Sequence, residues 1–402
     1  MTTNQLKELA DDVRRYIHAR AGDVNDLEVR EYLEQRVLED PGYDGISIGD
    51  KIRAAETVFD RTRRDLSVLE PLAADEDVTE IMVNGPDDVF VERAGKLTRA
   101  GVRFESTGEL EEVIRRIAAG VHREINERSP ILDARLADGS RVHAVSKNIA
   151  LGGPILTIRR FPKSRITMAD LLAYGTLTEE AATFLETLVL CAYNIFISGG
   201  TSSGKTTFLN VLSNFIPKDE RIVTIEDSAE LQIREIANIV RLECRSANET
   251  GQGGISVRDL IKASLRMRPD RIIVGEVRGA EVLDMIQAMN TGHAGSLSTG
   301  HGNSPQGMLY RLEAMFLQAA DFPVAAIRRQ ITEGIDILVH LGRLTGGRRA
   351  VREISEIAGI TNGEITLNPL FTYQAGAGLV RTKSPLIHRE KLRMKGMEND
   401  RL

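Results

Sequence analysis

"SGGTSSGKTTF", Ser198 to Phe208, follows the apolar run "NIFIS" (194–198) and leads into "TTFLNVL" (206–212), whose apolar residues return at helical spacing. A strand, a glycine-rich turn and a helix in that order form a phosphate cradle. The spacing Gly199-x4-Gly204-Lys205-Thr206 supplies its parts. Glycines let backbone N–H groups face the phosphates, and the helix N-terminus adds a favourable dipole. Lys205 brings a point charge, and Thr206 offers a hydroxyl to Mg²⁺. The candidate nucleotide-binding residues are Gly199, Gly200, Thr201, Ser202, Ser203, Gly204, Lys205, Thr206 and Thr207.

Around this loop apolar strands alternate with helices: "RIVTIED" (221–227), "IVRLEC" (239–244), "SVRDLIKASLRM" (256–267), "RIIVGEV" (271–277), "AEVLDMIQAMN" (280–290) and "GSLSTGH" (295–301). That pattern predicts an α/β fold with a mainly parallel sheet covered on both faces. Side chains at the carboxyl ends of such strands converge on one crevice. Glu226 and Glu276 end two of these runs, so they are the candidate catalytic acids, and Glu276 is also a candidate to hold magnesium through water. A helix cap is the competing reading for either acid. Glycine stands at 275, where many phosphate-loop proteins carry aspartate, and Asp270 precedes the strand. "MNTGHAGSLSTGHGNSP" holds His293 and His301 with no cysteine or further histidine at zinc-ligand spacing. "NETGQGG" (248–254) reads as a polar loop.

Ahead of this region, residues 1–68 have helical periodicity, with Leu6, Leu9, Val13 and Tyr16/Ile17 recurring at three- and four-residue spacing. The basic run Arg61, Arg63 and Arg64 reads as a solvated helix face. Residues 69–160 predict an α+β domain: strands "TEIMVNG" and "DVFVERAG" flank Asn84-Gly85-Pro86, and a helix capped by Thr107 buries Leu110, Ile114, Ile117 and Val121. Residues 161–177 read as a hinge linker, 178–345 as the phosphate-loop domain, and 346–402 as a hairpin turning at Asn362-Gly363 followed by a charged tail. A chain of 402 residues is long for a single core, which agrees with several domains. With 52 basic and 58 acidic side chains the net charge is −6, against a surface built to coat nucleic acid. Aromatic residues at 4% leave little for a base-stacking groove. Cys191 and Cys244 are too few for a disulfide framework, so a reducing compartment is expected. The start lacks an apolar signal run, and "FLETLVLCAYNIFI" is too short to span a bilayer, so membrane contact is expected through a partner.

Four boxes stand in order: "GGTSSGKTT", "RIVTIEDSAEL", "LRMRPDRIIVGEVRG" and "NTGHAGSLSTGH". Together they resemble the Walker A, Asp box, Walker B and His box of the ATPases that drive type II and type IV secretion and type IV pili. "PLAADEDVTEIMVNGPDDVFVERAGKL" and "GSRVHAVS…PILTIRRF" look like the N-terminal domain of the Flp/Tad pilus branch, the CpaF-like ATPases. The resemblance covers roughly 69–371. It implies a cytoplasmic homo-hexamer using ATP and Mg²⁺, each subunit with a PAS-like domain hinged to a RecA-like motor, working on an inner-membrane platform protein. By motif position it assigns Glu226 to the Asp-box glutamate, Glu276 to the Walker B glutamate, and His293 and His301 to the His-box pair. Arg141, Arg159 and Arg160 fall where the family carries arginines that reach nucleotide phosphates. Gly300 and Gly302 depart from the family pattern and predict a flexible segment around His301. Three alternatives stay open: an ATPase of a conjugative or effector type IV system, a RecA-type nucleic-acid motor, and a non-hydrolysing nucleotide-dependent scaffold.

Overall fold

The computed structural model describes residues 1–402 apart from 21–23, 64–65, 94, 137, 161–165, 246–252, 345–346 and 398–402. Arg64, the start of the expected linker, most of the "NETGQGG" loop and the end of the tail lie outside the described residues. The chain divides into two compact units, Met1–Ser164 and Arg165–Leu402.

In the first unit, α1 (Thr3–Ala19), α2 (Asp26–Glu39) and α3 (Ile48–Arg63) enclose their own core of Leu9, Val13, Val29, Leu33, Val37, Val58 and Phe59. The guanidinium of Arg61, on α3, pairs with the Glu105 carboxylate. A short α4 (Glu70–Ala74) then precedes β1 (Val78–Asn84), β2 (Val89–Arg93), β3 (Lys96–Arg99), α5 (Thr107–Gly120), β4 (Ile131–Arg135), β5 (Arg141–Val145) and β6 (Ile155–Arg159). The strands form an antiparallel sheet of order β3-β2-β1-β6-β5-β4. Alternation puts Ile81, Val83, Val142, Ala144, Leu156 and Ile158 on one face, where Leu110, Val113, Ile114 and Ile117 of α5 cover them. The N-cap of α5 is Ser106 and not Thr107, because the Ser106 hydroxyl accepts from the Glu109 N–H at 3.2 Å.

The second unit runs α6 (Met168–Ala173), α7 (Glu179–Leu190), β7 (Ile195–Gly199), α8 (Lys205–Ser213), β8 (Ile222–Glu226), β9 (Ile239–Glu243), α9 (Val257–Ser264), β10 (Arg271–Val277), α10 (Glu281–Asn290), β11 (Leu297–His301), α11 (Pro305–Ala319), α12 (Val324–Gly334), β12 (Ile337–Arg343), β13 (Arg349–Thr361), β14 (Glu364–Gln374), β15 (Gly378–Arg381) and α13 (Glu390–Met394). The nine strands lie in the order β15-β14-β13-β12-β7-β11-β10-β8-β9. From β12 to β9 every pairing is parallel, and β13 to β15 add an antiparallel edge. All residues of β7 and β8 are buried, as parallel strands covered on two faces require. Successive residues serve opposite layers: Ile195 and Ile197 join Phe184 of α7 and Phe208 of α8, whereas Phe196 joins Ile286 of α10 and Met308 of α11.

Two expected boundaries differ. Of the expected linker, the described residues 166–177 belong to the core of the second unit: Leu171 and Leu177 are buried in it, and the Thr176 carbonyl accepts the Val351 N–H at 2.8 Å. The C-terminal hairpin is no appendage either, because β13 pairs with β12 from Ile337↔Glu356 to Arg343↔Arg349. The chain beyond it is fixed by Glu356. Its carboxylate, 1% exposed, accepts from the N–H groups of Ile387 (2.8 Å) and His388 (2.7 Å) and from Asn368 Nδ2 (3.0 Å), and lies 2.9 Å from His388 Nδ1. Among the described residues no helix is long and apolar enough to cross a membrane.

Replacing Glu356 with alanine removes the acceptor shared by donors on two segments. We expect Glu356→Ala to cost about 3 kcal/mol in urea unfolding, with amide exchange accelerated first in 385–397. Unchanged stability would show that the segment is held by its other contacts, the Tyr193–His388 and Lys391–Asp336 bonds and the buried Leu386 and Leu392.

Candidate active site

The parallel registers bring the chemistry to one edge of the sheet. His301 and Leu341 both pair with Gly199, Gly300 pairs with Val277, and Val274 with Ile225. The carboxyl ends of β7, β8, β10 and β11 therefore share one crevice. Gly199 ends β7, and the loop then turns through Ser202 (φ 56°) and Gly204 (φ 94°) into α8. At Gly204 the left-handed backbone at the helix N-cap favours glycine. Thr206 and Thr207 occupy the first turn of α8, half-buried, while Thr201 and Ser202 are exposed.

Lys205 is 7% exposed. Its ammonium donates to the carbonyls of Gly200 (3.1 Å) and Gly199 (3.3 Å) and lies 3.3 Å from His301 Nδ1. Burial pulls its pKa down, and the Glu276 charge opposes that shift. Across the ring, His301 Nε2 sits 2.8 Å from Glu276 Oε1, an ion-pair distance without hydrogen-bond geometry. Burial likewise lowers the pKa of His301, against the pull of Glu276 and with the help of Lys205. Glu276 Oε2 accepts from Arg278 Nη2 at 2.8 Å and Nε at 2.9 Å, and Arg278 Nη1 reaches Asp227 Oδ2 at 3.2 Å. Arg278 thus ties the two acidic boxes together. Sequence reading passed over it, although it stands only two residues beyond Glu276.

Glu226, at the end of β8, is 4% exposed. Its Oε1 accepts the N–H groups of Glu230 (2.8 Å) and Leu231 (2.9 Å). Burial outweighs these two bonds and pushes its pKa up to about 7. The missing aspartate at 275 has its explanation here. A Cβ on Gly275 would stand 3.0 Å from Glu226 Cγ, so the glycine makes room for the carboxylate of the neighbouring strand. Asp270 is at the opposite edge, where its carboxylate accepts the Arg221 N–H at 2.6 Å.

The two histidines part company. His301 ends β11 beside Lys205, whereas His293 lies four residues before β11 begins, with Nδ1 3.2 Å from the Ala288 carbonyl. The strand between them spans about 13–17 Å, so within this unit His293 is not brought to the phosphate loop. The expected flexibility around His301 also meets a physical objection. The Gly302 N–H donates to the Gly199 carbonyl at 3.2 Å, and a Cβ on Gly300 would collide with the Phe196 ring at 2.8 Å. These glycines serve close packing.

The three arginines are on the first unit. Arg141 and Arg159 face each other across β5 and β6, and Arg159 also pairs in register with Glu80 of β1. Arg159 is exposed, and Arg141 lies 3.9 Å from Asp133. Arg160 differs: its Nη1 donates to the carbonyls of Asp75 and Val78. That engagement ties the end of β6 to the segment entering β1.

The donors present fit a nucleotide with its metal. Lys205 meets only uncharged acceptors at hydrogen-bond distance, and Ser203 Oγ and Glu276 Oε1 are buried without a hydrogen-bond partner. A phosphate would satisfy the first two groups, and a hydrated cation the third.

The type II/IV secretion system protein family matches residues 62–352. A putative conjugal transfer protein of Mycobacterium tuberculosis is 35% identical over 318 residues, covering 78% of this chain and 89% of that protein. The type IV secretion system protein PtlH of Bordetella pertussis is 33% identical over 316 residues, covering 72% and 93%. In fold the chain is similar to the ATPase DotB of Legionella pneumophila, with a TM-score of 0.53 and 21% identity over 72% of this chain and 80% of that one.

Because the folded protein holds a proton on Glu226 up to about pH 7, and an unfolded chain releases it near the ordinary 4.5, wild-type stability falls as pH rises through that window. Glu226→Gln keeps the acceptor oxygen and loses the charge. Its unfolding free energy at pH 8 should exceed that of the wild type by about 1–3 kcal/mol, with the advantage vanishing near pH 4. Equal stabilities at both pH values in denaturant titrations would refute the raised pKa.

Proposed function

The chain belongs to the type II/IV secretion system protein family, and from that premise we propose that it is a motor that hydrolyses Mg-ATP to drive secretion or pilus assembly. The observation that carries this reading is the contact chain Lys205–His301–Glu276 at the mouth of the phosphate loop, with Glu226 on the adjacent strand end. Lys205 and the N-terminus of α8 bind and orient the phosphates. Thr206 and Glu276 would hold Mg²⁺, which when bound would neutralise charge on the phosphate oxygens. Glu226, with a pKa near operating pH, is suited to take the proton of the attacking water. The water oxygen bonds to the terminal phosphorus, the bond to the bridging oxygen breaks, and ADP and phosphate leave. His301 reads the terminal phosphate because it touches Lys205 on one side and Glu276 on the other. On the family resemblance, Arg141 and Arg159 are the cations that answer the same phosphate, and the working assembly is a cytoplasmic homo-hexamer acting on an inner-membrane platform.

For the cargo, the relatives bear the names conjugal transfer protein and type IV secretion system protein, which favours export through a type IV secretion system. The Flp/Tad pilus is the second reading, favoured by "PLAADEDVTEIMVNGPDDVFVERAGKL". Neighbouring prepilin and prepilin-peptidase genes would decide for the pilus. Strong stimulation of turnover by single-stranded DNA would turn the assignment to a nucleic-acid motor.

Steady-state phosphate release tests the enzyme. Wild-type kcat should rise with pH along a limb centred near 7, as Glu226 gives up its proton. Lys205→Ala should abolish binding or turnover. Glu226→Gln should bind ATP and lose about 10²–10⁴ in kcat, and normal turnover in that variant would remove Glu226 from the mechanism.

A further inference from the structure

Asn210 lies on α8, the helix whose first turn carries Lys205 and Thr206, and it falls outside the four sequence boxes. Its side chain bonds the segment that follows β8. Asn210 Oδ1 accepts the Gln232 N–H at 2.7 Å, and Asn210 Nδ2 donates to the Glu230 carbonyl at 3.4 Å. The two bonds straddle Leu231. The same segment also faces Glu226, whose Oε1 accepts the N–H groups of Glu230 at 2.8 Å and Leu231 at 2.9 Å. The Glu230 carbonyl and the Leu231 N–H belong to one peptide unit, which is planar, so fixing the carbonyl aims the N–H. Asn210 holds one end of that unit and Glu226 the other. The orientation of the Asn210 amide follows from its partners, because an N–H needs an acceptor and a carbonyl needs a donor.

We propose that Asn210 is a positioning residue for Glu226: it clamps residues 230–232 to the phosphate-loop helix, so that the carboxylate which takes the proton of water stays aligned with the helix that binds the phosphates. The inference rests on the ATPase reading of the site and adds the side chain that aligns its two halves. Residues 227–238 form neither helix nor strand, so no ladder sets the direction of their backbone groups. Other anchors act on the segment. The Ala229 N–H donates to Glu243 Oε1 at 3.3 Å, Arg241 donates to the Ile233 carbonyl, and Leu231, Ile233 and Ile236 are buried. Those contacts fix where the chain passes. Apolar burial is non-directional, and neither bond reaches the peptide between Glu230 and Leu231. The Asn210 amide does. The charges acting on Glu226 are Glu230, on the segment itself, and Glu243, at the end of β9, while β10 meets Glu226 with the uncharged Gly275. Both acids raise the Glu226 pKa, and the two N–H bonds lower it. Loosening the clamp weakens those bonds and moves the pKa upward.

The test compares full chains: wild type, Asn210→Leu, which deletes both bonds while keeping the side-chain volume and helix propensity, and Asn210→Gln, which keeps both groups on a longer stem. In the nucleotide-free protein, deuterium exchange at the amides of 230–232 should be about tenfold faster in Asn210→Leu, with the amides of β7 unchanged. In steady-state phosphate release with Mg²⁺, Asn210→Leu should lose about 5- to 50-fold in kcat, the cost of a displaced catalytic group. KM, and the ADP affinity from calorimetric titration, should stay within about twofold, since ground-state binding is untouched. The limb of the pH profile near 7 should move upward by as much as about one unit, the worth of one ordinary hydrogen bond. Asn210→Gln should recover part of each change. If Asn210→Leu fails to fold, Asn210→Ala, which deletes both bonds and adds no bulk, decides. In a folded variant, unchanged exchange, unchanged kcat, an unmoved limb, or a loss of ADP affinity parallel to that in kcat would each overturn the proposal. A wild type that releases no phosphate would instead overturn the ATPase reading, and the exchange result would still report on the clamp.

Discussion

An ammonium group taken out of water needs compensation, and the edge of the sheet is organised around supplying it to Lys205. Removing a cation from solvent costs several kcal/mol unless it finds charge or well-aimed acceptors. Lys205 finds two carbonyls of its own loop and one imidazole nitrogen. The nearest carboxylate, Glu276, stands behind that imidazole and shares its charge with Arg278. The compensation is therefore partial, and the downward pull on the pKa of Lys205 expresses it. A triphosphate would complete it. The same shortage orders the surroundings: the loop must curl so that its carbonyls face the amine, β11 must end level with Gly199 to deliver His301, and β10 must end one strand further to deliver Glu276.

Two acids at one crevice stand in different surroundings. Glu226 is buried, and its carboxylate accepts from two backbone N–H groups, so burial disfavours its charged form. Glu276 is half-exposed and touches Arg278 and His301, so a charge there is well matched. The setting of Glu226 depends on Gly275. A side chain there would press on Glu226 Cγ and move the carboxylate away from the N–H groups of Glu230 and Leu231.

Much of this was legible in the sequence because the signals are local. A strand, a glycine loop and a helix within a dozen residues can mean little besides a phosphate cradle, and strand-end acids of a parallel sheet must share an edge with it. The limits of legibility are those of pairing. Nothing in "VREISEIAGIT" reveals that β13 joins β12 and so extends the central sheet, because an antiparallel hairpin carries the same alternation whether it stands alone or at an edge. Residues 166–177 look like a linker because proline and glycine punctuate them, yet Leu171 and Leu177 are core residues. The His box misled for a similar reason. Two histidines eight residues apart look equivalent in a motif, but a five-residue strand between them sends one to each end of the sheet.

His340 marks the farthest limit. An imidazole in an apolar strand can be read from sequence as a tolerated polar residue, and only the parallel register opposite Ser198 makes it a bridge. The physical logic is nonetheless the same as at Lys205. A buried polar group persists where a partner meets it, and here the partner belongs to the strand that enters the phosphate loop. A contact of this kind between two parallel strands opposes the sliding of one past the other.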